Sequence, residues 1–263
     1  MQKLISIDLF ADFGMLKKPD TNEPVYLTFN MLHKPALLGI LGAITGEAGF
    51  KEKGKLPDYY LKLKDLKVGI QPLDNHHKNG NFHLEKGNFQ KTIIAYNNTT
   101  GMASKEEGGN LMVTEQTLIA PAFRCYLLLD MQNTLHTTID ENLKNYYAEY
   151  LPYLGKNEFS VWWENYKEHK ELIDFEFTKD FQIRSIFCKN EAVSKYVATS
   201  FTRAGRKELE NRFIYFERLP VGYNQDLYQY DYADFVFTNA VVDVQLQVEN
   251  VKTVDKDTII QLF

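Results

Sequence analysis

Cysteine is almost absent from this 263-residue chain: Cys125 and Cys188 are the only two, far apart and in no CxxC arrangement. That excludes a disulfide scaffold and makes a reducing, cytoplasmic compartment the simplest expectation. Glycine and proline are few, at 15 and 8, which excludes a collagen-like repeat. Long uncharged runs are missing as well. In the first fifty residues the longest, Pro35 to Gly46, falls well short of the roughly 20 residues that span a bilayer. Asp8 interrupts the apolar opening, so no signal peptide is expected there. No GxSxG, HExxH or GxGxxG pattern occurs, so standard hydrolase, zincin and dinucleotide chemistries lack support.

What is present is an ordinary folded composition, 44% hydrophobic and 25% charged, with 18 Phe and 16 Tyr raising the aromatic share to 14%. The length suits one large domain or two of about 100–150 residues. Net charge is −5, which argues against a dedicated nucleic-acid binder. The charge is uneven, however: residues 1–105 carry a balance of +4 and residues 106–263 one of −9. A basic half joined to an acidic half suggests one polyanion-facing surface and one facing something else. Chance asymmetry on a solvated surface reads equally well from charge alone.

Strands are expected at Lys3–Phe10, Lys67–Ile70, Thr92–Tyr96, Leu111–Ala120 and Phe123–Leu129, with short β-rich pieces near Val25–Phe29. Pro35 starts a helix through Ile44, Tyr59–Leu66 a second, and Ile139–Leu151 a third. Val161–His169 reads as helical, followed by β-rich runs at Leu172–Phe177, Ile183–Phe187, Arg212–Leu219 and Phe235–Val248. Without a βαβα rhythm the class is α+β, with units at 1–150 and 151–263. Two polar stretches within residues 71–115, flanked by strand signals, predict a protruding hairpin, and long ordered protrusions are usually functional.

Several motifs have two readings. Gly49-Phe-Lys-Glu-Lys-Gly54-Lys55-Leu56 fits G-x4-G-K, but Leu56 replaces the Ser/Thr that Mg²⁺ needs, and it is rejected as a phosphate loop. Gly39, Gly42 and Gly46 share one helix face, which means close packing or a helix start open to phosphate beside His33 and Lys34. His76, His77, Lys78 and His83 supply groups able to exchange protons with a ribose 2′-OH, or a solvated polar loop. Their spacing matches no strong zinc pattern.

Phe13, Lys17, Lys18, Tyr26 and Lys34 interleave rings and cations as single-stranded RNA recognition requires. Arg203, Arg206 and Lys207 form a smaller basic knot. The acidic aromatic run Tyr223–Asp234 reads as a strand edge or a protein contact surface.

Residues Ile5–Pro19, Tyr26–Asn30 and His33-Lys-Pro-Ala-Leu-Leu-Gly-Ile-Leu-Gly-Ala-Ile-Thr-Gly46 resemble the Cas-five family of CRISPR-associated proteins, closest to its type I-B branch. Glu217-Arg-Leu-Pro220 and Tyr150-Leu-Pro-Tyr-Leu-Gly-Lys-Asn-Glu158 resemble later motifs of that branch. The resemblance implies a RAMP protein with a ferredoxin-like βαββαβ N-terminal domain, a thumb hairpin within 71–115, and a smaller or degenerate β-rich C-terminal domain. It implies a non-catalytic, cytoplasmic subunit of the Cascade surveillance complex in antiviral defence. Its partners would be the 5′ handle of the CRISPR RNA, a backbone subunit and the large subunit, with no cofactor, metal or membrane.

The RNA-binding candidates are then Phe13, Lys17, Lys18, Tyr26, His33 and Lys34, with Lys156 and Asn157 second. One branch of the family cuts precursor RNA without metal, using Tyr, Lys and His. The alternative is therefore a metal-independent endoribonuclease built on His76, His77 and Lys78.

Overall fold

This computed structural model describes residues 1–19, 25–74, 89–98, 111–189 and 212–263. The chain opens with β1 (Gln2–Ala11), then four two-residue strands: β2 (Phe13–Gly14), β3 (Leu16–Lys17), β4 (Val25–Tyr26) and β5 (Thr28–Phe29). Helices α1 (Lys34–Thr45) and α2 (Asp58–Leu63) lead to β6 (Lys67–Pro72). Next come β7 (Lys91–Asn98), β8 (Leu111–Ile119), β9 (Ala122–Asp130), α3 (Thr134–Lys144) and β10 (Val161–His169). The rest is β11 (Leu172–Asp174), β12 (Phe187–Cys188), β13 (Ile214–Asn224), β14 (Gln229–Thr238), β15 (Val251–Val254) and β16 (Thr258–Gln261). The class is α+β, mostly strand.

The central sheet has the order β10-β1-β9-β6, with every neighbouring pair antiparallel. Helix α1 lies between β1 and β6 in the chain and α3 between β9 and β10. Strand β1 explains the sheet's position. Ile5, Ile7 and Leu9 point with α1 residues Leu37, Leu38 and Leu41 into the main core. Leu4, on the opposite face, packs with Tyr126, Val254 and Ile260 of a second cluster. A strand buried on both faces reads as a nearly continuous apolar run.

The opposite face also holds polar ties. Asp8 accepts from Arg124 Nε at 2.7 Å and from Asn165 Nδ2 at 2.9 Å. His169 bridges Ser6 Oγ and Asp255 Oδ2, each at 2.9 Å. The first ties β1 to both its neighbours in the sheet and the second joins the sheet to Asp255 after β15, at positions where an unpaired buried polar group would be costly.

Val161–His169, expected to be helical, is instead edge strand β10. Its burial alternates: Val161 and Trp163 are buried while Trp162 and Glu164 face out, the period of two that a helix reading passes over. Although it follows residue 150, β10 pairs with β1 and closes the central sheet. Helix α3 also ends early, at Lys144 rather than Leu151. Asn133 caps it by accepting from Leu135 N at 2.9 Å, and Tyr146 breaks the helical path at φ 54°.

The α1 glycines serve packing. A Cβ on Gly42 would lie 2.6 Å from Cβ of Tyr59 in α2, so the helices meet at backbone distance. Gly46 ends the helix at φ +74°, a conformation glycine adopts without strain.

Strands β7 and β8 pair antiparallel from Lys91↔Leu118 to Asn98↔Leu111, forming a ribbon inserted between β6 and β9. Beyond the central sheet, β13 and β14 form a long hairpin that incorporates the acidic aromatic run, with Tyr223 opposite Tyr230. A β11-β15-β16 sheet completes the C-terminal part.

Candidate nucleic-acid interface

At the root of the β7–β8 ribbon, five short segments meet. β3 pairs with β5, Lys17 opposite Thr28, and Thr28 Oγ1 accepts from Leu16 N at 2.9 Å. This register buries Leu16 and leaves Lys17 exposed. β4 runs parallel to β8 and sets Tyr26 beside Glu115. Lys17 Nζ then lies 3.6 Å from the Tyr26 ring centroid, a contact worth roughly 0.5–1 kcal/mol at an exposed site.

The second half of the seam comes from the loop after α3. Met15 N donates to Leu154 O at 3.1 Å, and Phe159 N to Lys156 O at 3.0 Å, which clamps this loop against the 13–17 segment. Lys156 Nζ reaches the buried Glu115 carboxylate at 2.5 Å and stands 4.3 Å over the Tyr96 ring of β7. Burial pulls the Lys156 pKa down, but the Glu115 hydrogen bond and charge outweigh it, and the net shift is upward. Lys156 also lies 6.0 Å from Phe159, whose ring tilts against Phe13 at 5.9 Å.

Phe13, Lys17, Tyr26 and Lys156 are therefore linked through one chain of contacts, with Asn157 exposed beside Lys156. Alternating ring faces and ammonium groups can stack bases and meet phosphates. Tyr96, Glu115 and Phe159 belong to the seam and went unnoticed in the sequence. Tyr96 carried only a strand signal, and the Lys156–Glu115 contact spans 41 positions.

Other candidates lie elsewhere. Lys18 is half-buried, with Nζ 3.5 Å from Glu217 Oε1. Glu217 is itself a buried clamp, accepting from Asn30 N at 3.0 Å, Asn30 Nδ2 at 3.0 Å and Met31 N at 3.0 Å. Burial pushes its pKa up against these donors. His33 is buried and caps α1, its Nδ1 accepting from Ala36 N at 3.2 Å. Leu37 N is used as well, donating to His33 O. Burial drops the His33 pKa to about 3, so its ring is neutral.

Lys34 is buried too, its Nζ 3.3 Å from the Phe263 carbonyl. Burial, then repulsion from Lys67, lowers its pKa to about 8. His76, His77, Lys78, His83, Arg203, Arg206 and Lys207 lie outside the described residues. Among the described residues no helix is long and apolar enough to cross a membrane.

No protein-family model matches the chain, and no curated protein matches it. Solved structures do. A chain of a CRISPR RNA-guided surveillance complex is 10% identical, covering 91% of this chain and 90% of its own, with a TM-score of 0.50. A CRISPR protein from Archaeoglobus fulgidus is 12% identical over 99% of this chain and 98% of its own, with a TM-score of 0.45. A chain of a type III-B Cmr-beta complex bound to cognate target RNA and AMPPnP is 10% identical, over 92% and 86%, with a TM-score of 0.46. The α+β fold of this chain is thus similar to that of a chain in an RNA-guided CRISPR surveillance complex.

Proposed function

We propose that the chain is a non-catalytic CRISPR RNA-binding subunit of a type I Cascade surveillance complex, of the type I-B branch, and caps the 5′ handle. The observation that carries this reading is the seam of Lys17, Tyr26, Lys156 and Tyr96, on a fold similar to a surveillance-complex chain. The β-α-β-β-α-β order, with its fourth strand beside the first, supports a ferredoxin-like RAMP domain. The antiparallel β7–β8 ribbon supports a thumb in this part of the chain.

In this account the seam holds the handle by its phosphates and stacks exposed bases. The more acidic later half faces the backbone and large subunits, consistent with its charge balance. Glu217 acts at a distance: by fixing Asn30 and Met31 it sets β5, which pairs with Lys17-bearing β3.

Anisotropy titration of labelled handle RNA tests the proposal. Lys17→Ala with Lys156→Ala should weaken binding about tenfold or more and flatten its salt dependence by up to about two phosphate contacts. Unchanged affinity would remove it. Incubation with repeat RNA in EDTA tests the non-catalytic part, and specific cleavage would overturn that part.

A further inference from the structure

Beside the seam is a cavity of about 800 Å³, within the range of about 300–1,000 Å³ typical of pockets that bury organic ligands. Its floor is the small-residue face of α1, where Ala36, Gly39 and Ala43 contribute little bulk. Its walls are tyrosines from three elements: Tyr59 of α2, Tyr150 and Tyr153 of the loop after α3, and Tyr223 and Tyr230 of the β13–β14 hairpin. Tyr150 and Tyr153 are 58% and 45% exposed. Tyr223 and Tyr230 meet edge to face at 5.6 Å. None of these five hydroxyls has a hydrogen-bond partner among the described residues.

Three observations identify the occupant. Lys17 lines this cavity as well as the seam, so a strand gripped at the seam passes the cavity mouth. Glu47, the only carboxylate among the described residues of the lining, is neutralised by Lys62 Nζ at 2.6 Å, leaving Lys17 as their unbalanced charge. His33 lines the cavity at 7% exposure, and its Nδ1 is occupied by Ala36 N. The single proton of the neutral ring is therefore on Nε2, opposite the capping Nδ1.

We infer that this cavity receives unstacked bases of single-stranded RNA, stacked on its tyrosines, with His33 Nε2–H donating to a base acceptor. Flat rings with unused hydroxyls and a fixed neutral donor suit bases, and the lysine at the mouth suits the phosphates between them. The inference rests on the RNA-binding reading above and adds where the bases go.

The test compares two labelled RNAs of equal length, a single-stranded handle RNA and its abasic counterpart, on the full chain. Wild type should prefer the base-bearing RNA by about 5- to 100-fold. The exposed pair Tyr150→Ser with Tyr153→Ser should shrink that preference several-fold with the salt slope unchanged. His33→Asn, which keeps a helix-capping side chain, should do the same while retaining the wild-type circular dichroism spectrum. Lys17→Ala should weaken both RNAs alike.

A base preference that the Tyr150/Tyr153 and His33 variants leave at its wild-type value, with losses confined to lysine variants, overturns the inference and leaves the proposed function standing. Absence of RNA binding overturns both. Tyrosine variants that bind RNA normally but lose a co-purifying subunit overturn the inference in favour of a protein site.

Discussion

Lys156 and Glu115, 41 positions apart in the chain, meet at 2.5 Å beneath the β7–β8 ribbon. The pair joins the loop after α3 to β8 and leaves the Lys156 ammonium over the Tyr96 ring. An RNA phosphate must compete with Glu115 for this ammonium. Glu115→Gln should therefore tighten handle binding and steepen its salt dependence by up to about one counterion. Titrations at several salt concentrations check this. A loss of affinity equal to that of Lys156→Ala would show that the pair serves only to build the site.

Glu217 should be a stability residue. Its replacement by Ala strands Asn30 N and Met31 N and removes the carboxylate beside Lys18, at an expected cost of about 2–4 kcal/mol. Urea denaturation measures it. A cost within about 0.5 kcal/mol, the usual effect of a surface change, would contradict the clamp.

The α1–α2 contact gives a prediction whose sign opposes helix propensity. Alanine normally improves a helix interior by about 1 kcal/mol over glycine. At Gly42 the new methyl would meet Tyr59 Cβ at 2.6 Å, so Gly42→Ala should destabilise by about 1–3 kcal/mol. Increased thermal stability would show that the helices separate freely.

His33 predicts a pH dependence. Its folded pKa, about 3, lies below the ordinary 6.5, so the unfolded chain binds the proton first as pH falls. The stability held by the neutral ring is complete above about pH 6.5 and is lost progressively toward pH 3. His136 and His169 shift the same way through burial, so the comparison is with His33→Asn. Wild type should lose up to about 1 kcal/mol more per pH unit in this window. Parallel curves would contradict a buried neutral ring.

Much of this fold was legible locally. Pro35 marks α1, and the apolar runs mark β1, β6, β8 and β9, because proline geometry and strand composition act over a few residues. β10 was misread because its alternation is interrupted after Trp163, and what makes it a strand is the open edge of β1. At the site, Lys17 and Tyr26 were legible as neighbours in sequence. Lys34 misled: its proximity to the helix start suggested a ligand group, whereas its amine turns to the Phe263 carbonyl, 229 positions away. Tyr96, Glu115 and the tyrosine cavity depend on such distant pairings and have no local signature.

If the proposed function holds, the handle lies across the ribbon root. Ultraviolet crosslinking of 4-thiouridine-substituted handle RNA to the assembled complex, with mass-spectrometric mapping, tests it most directly. Crosslinks at Tyr26, Tyr96 and Phe13 are the predicted result. Crosslinks confined to the β11-β15-β16 sheet would contradict it.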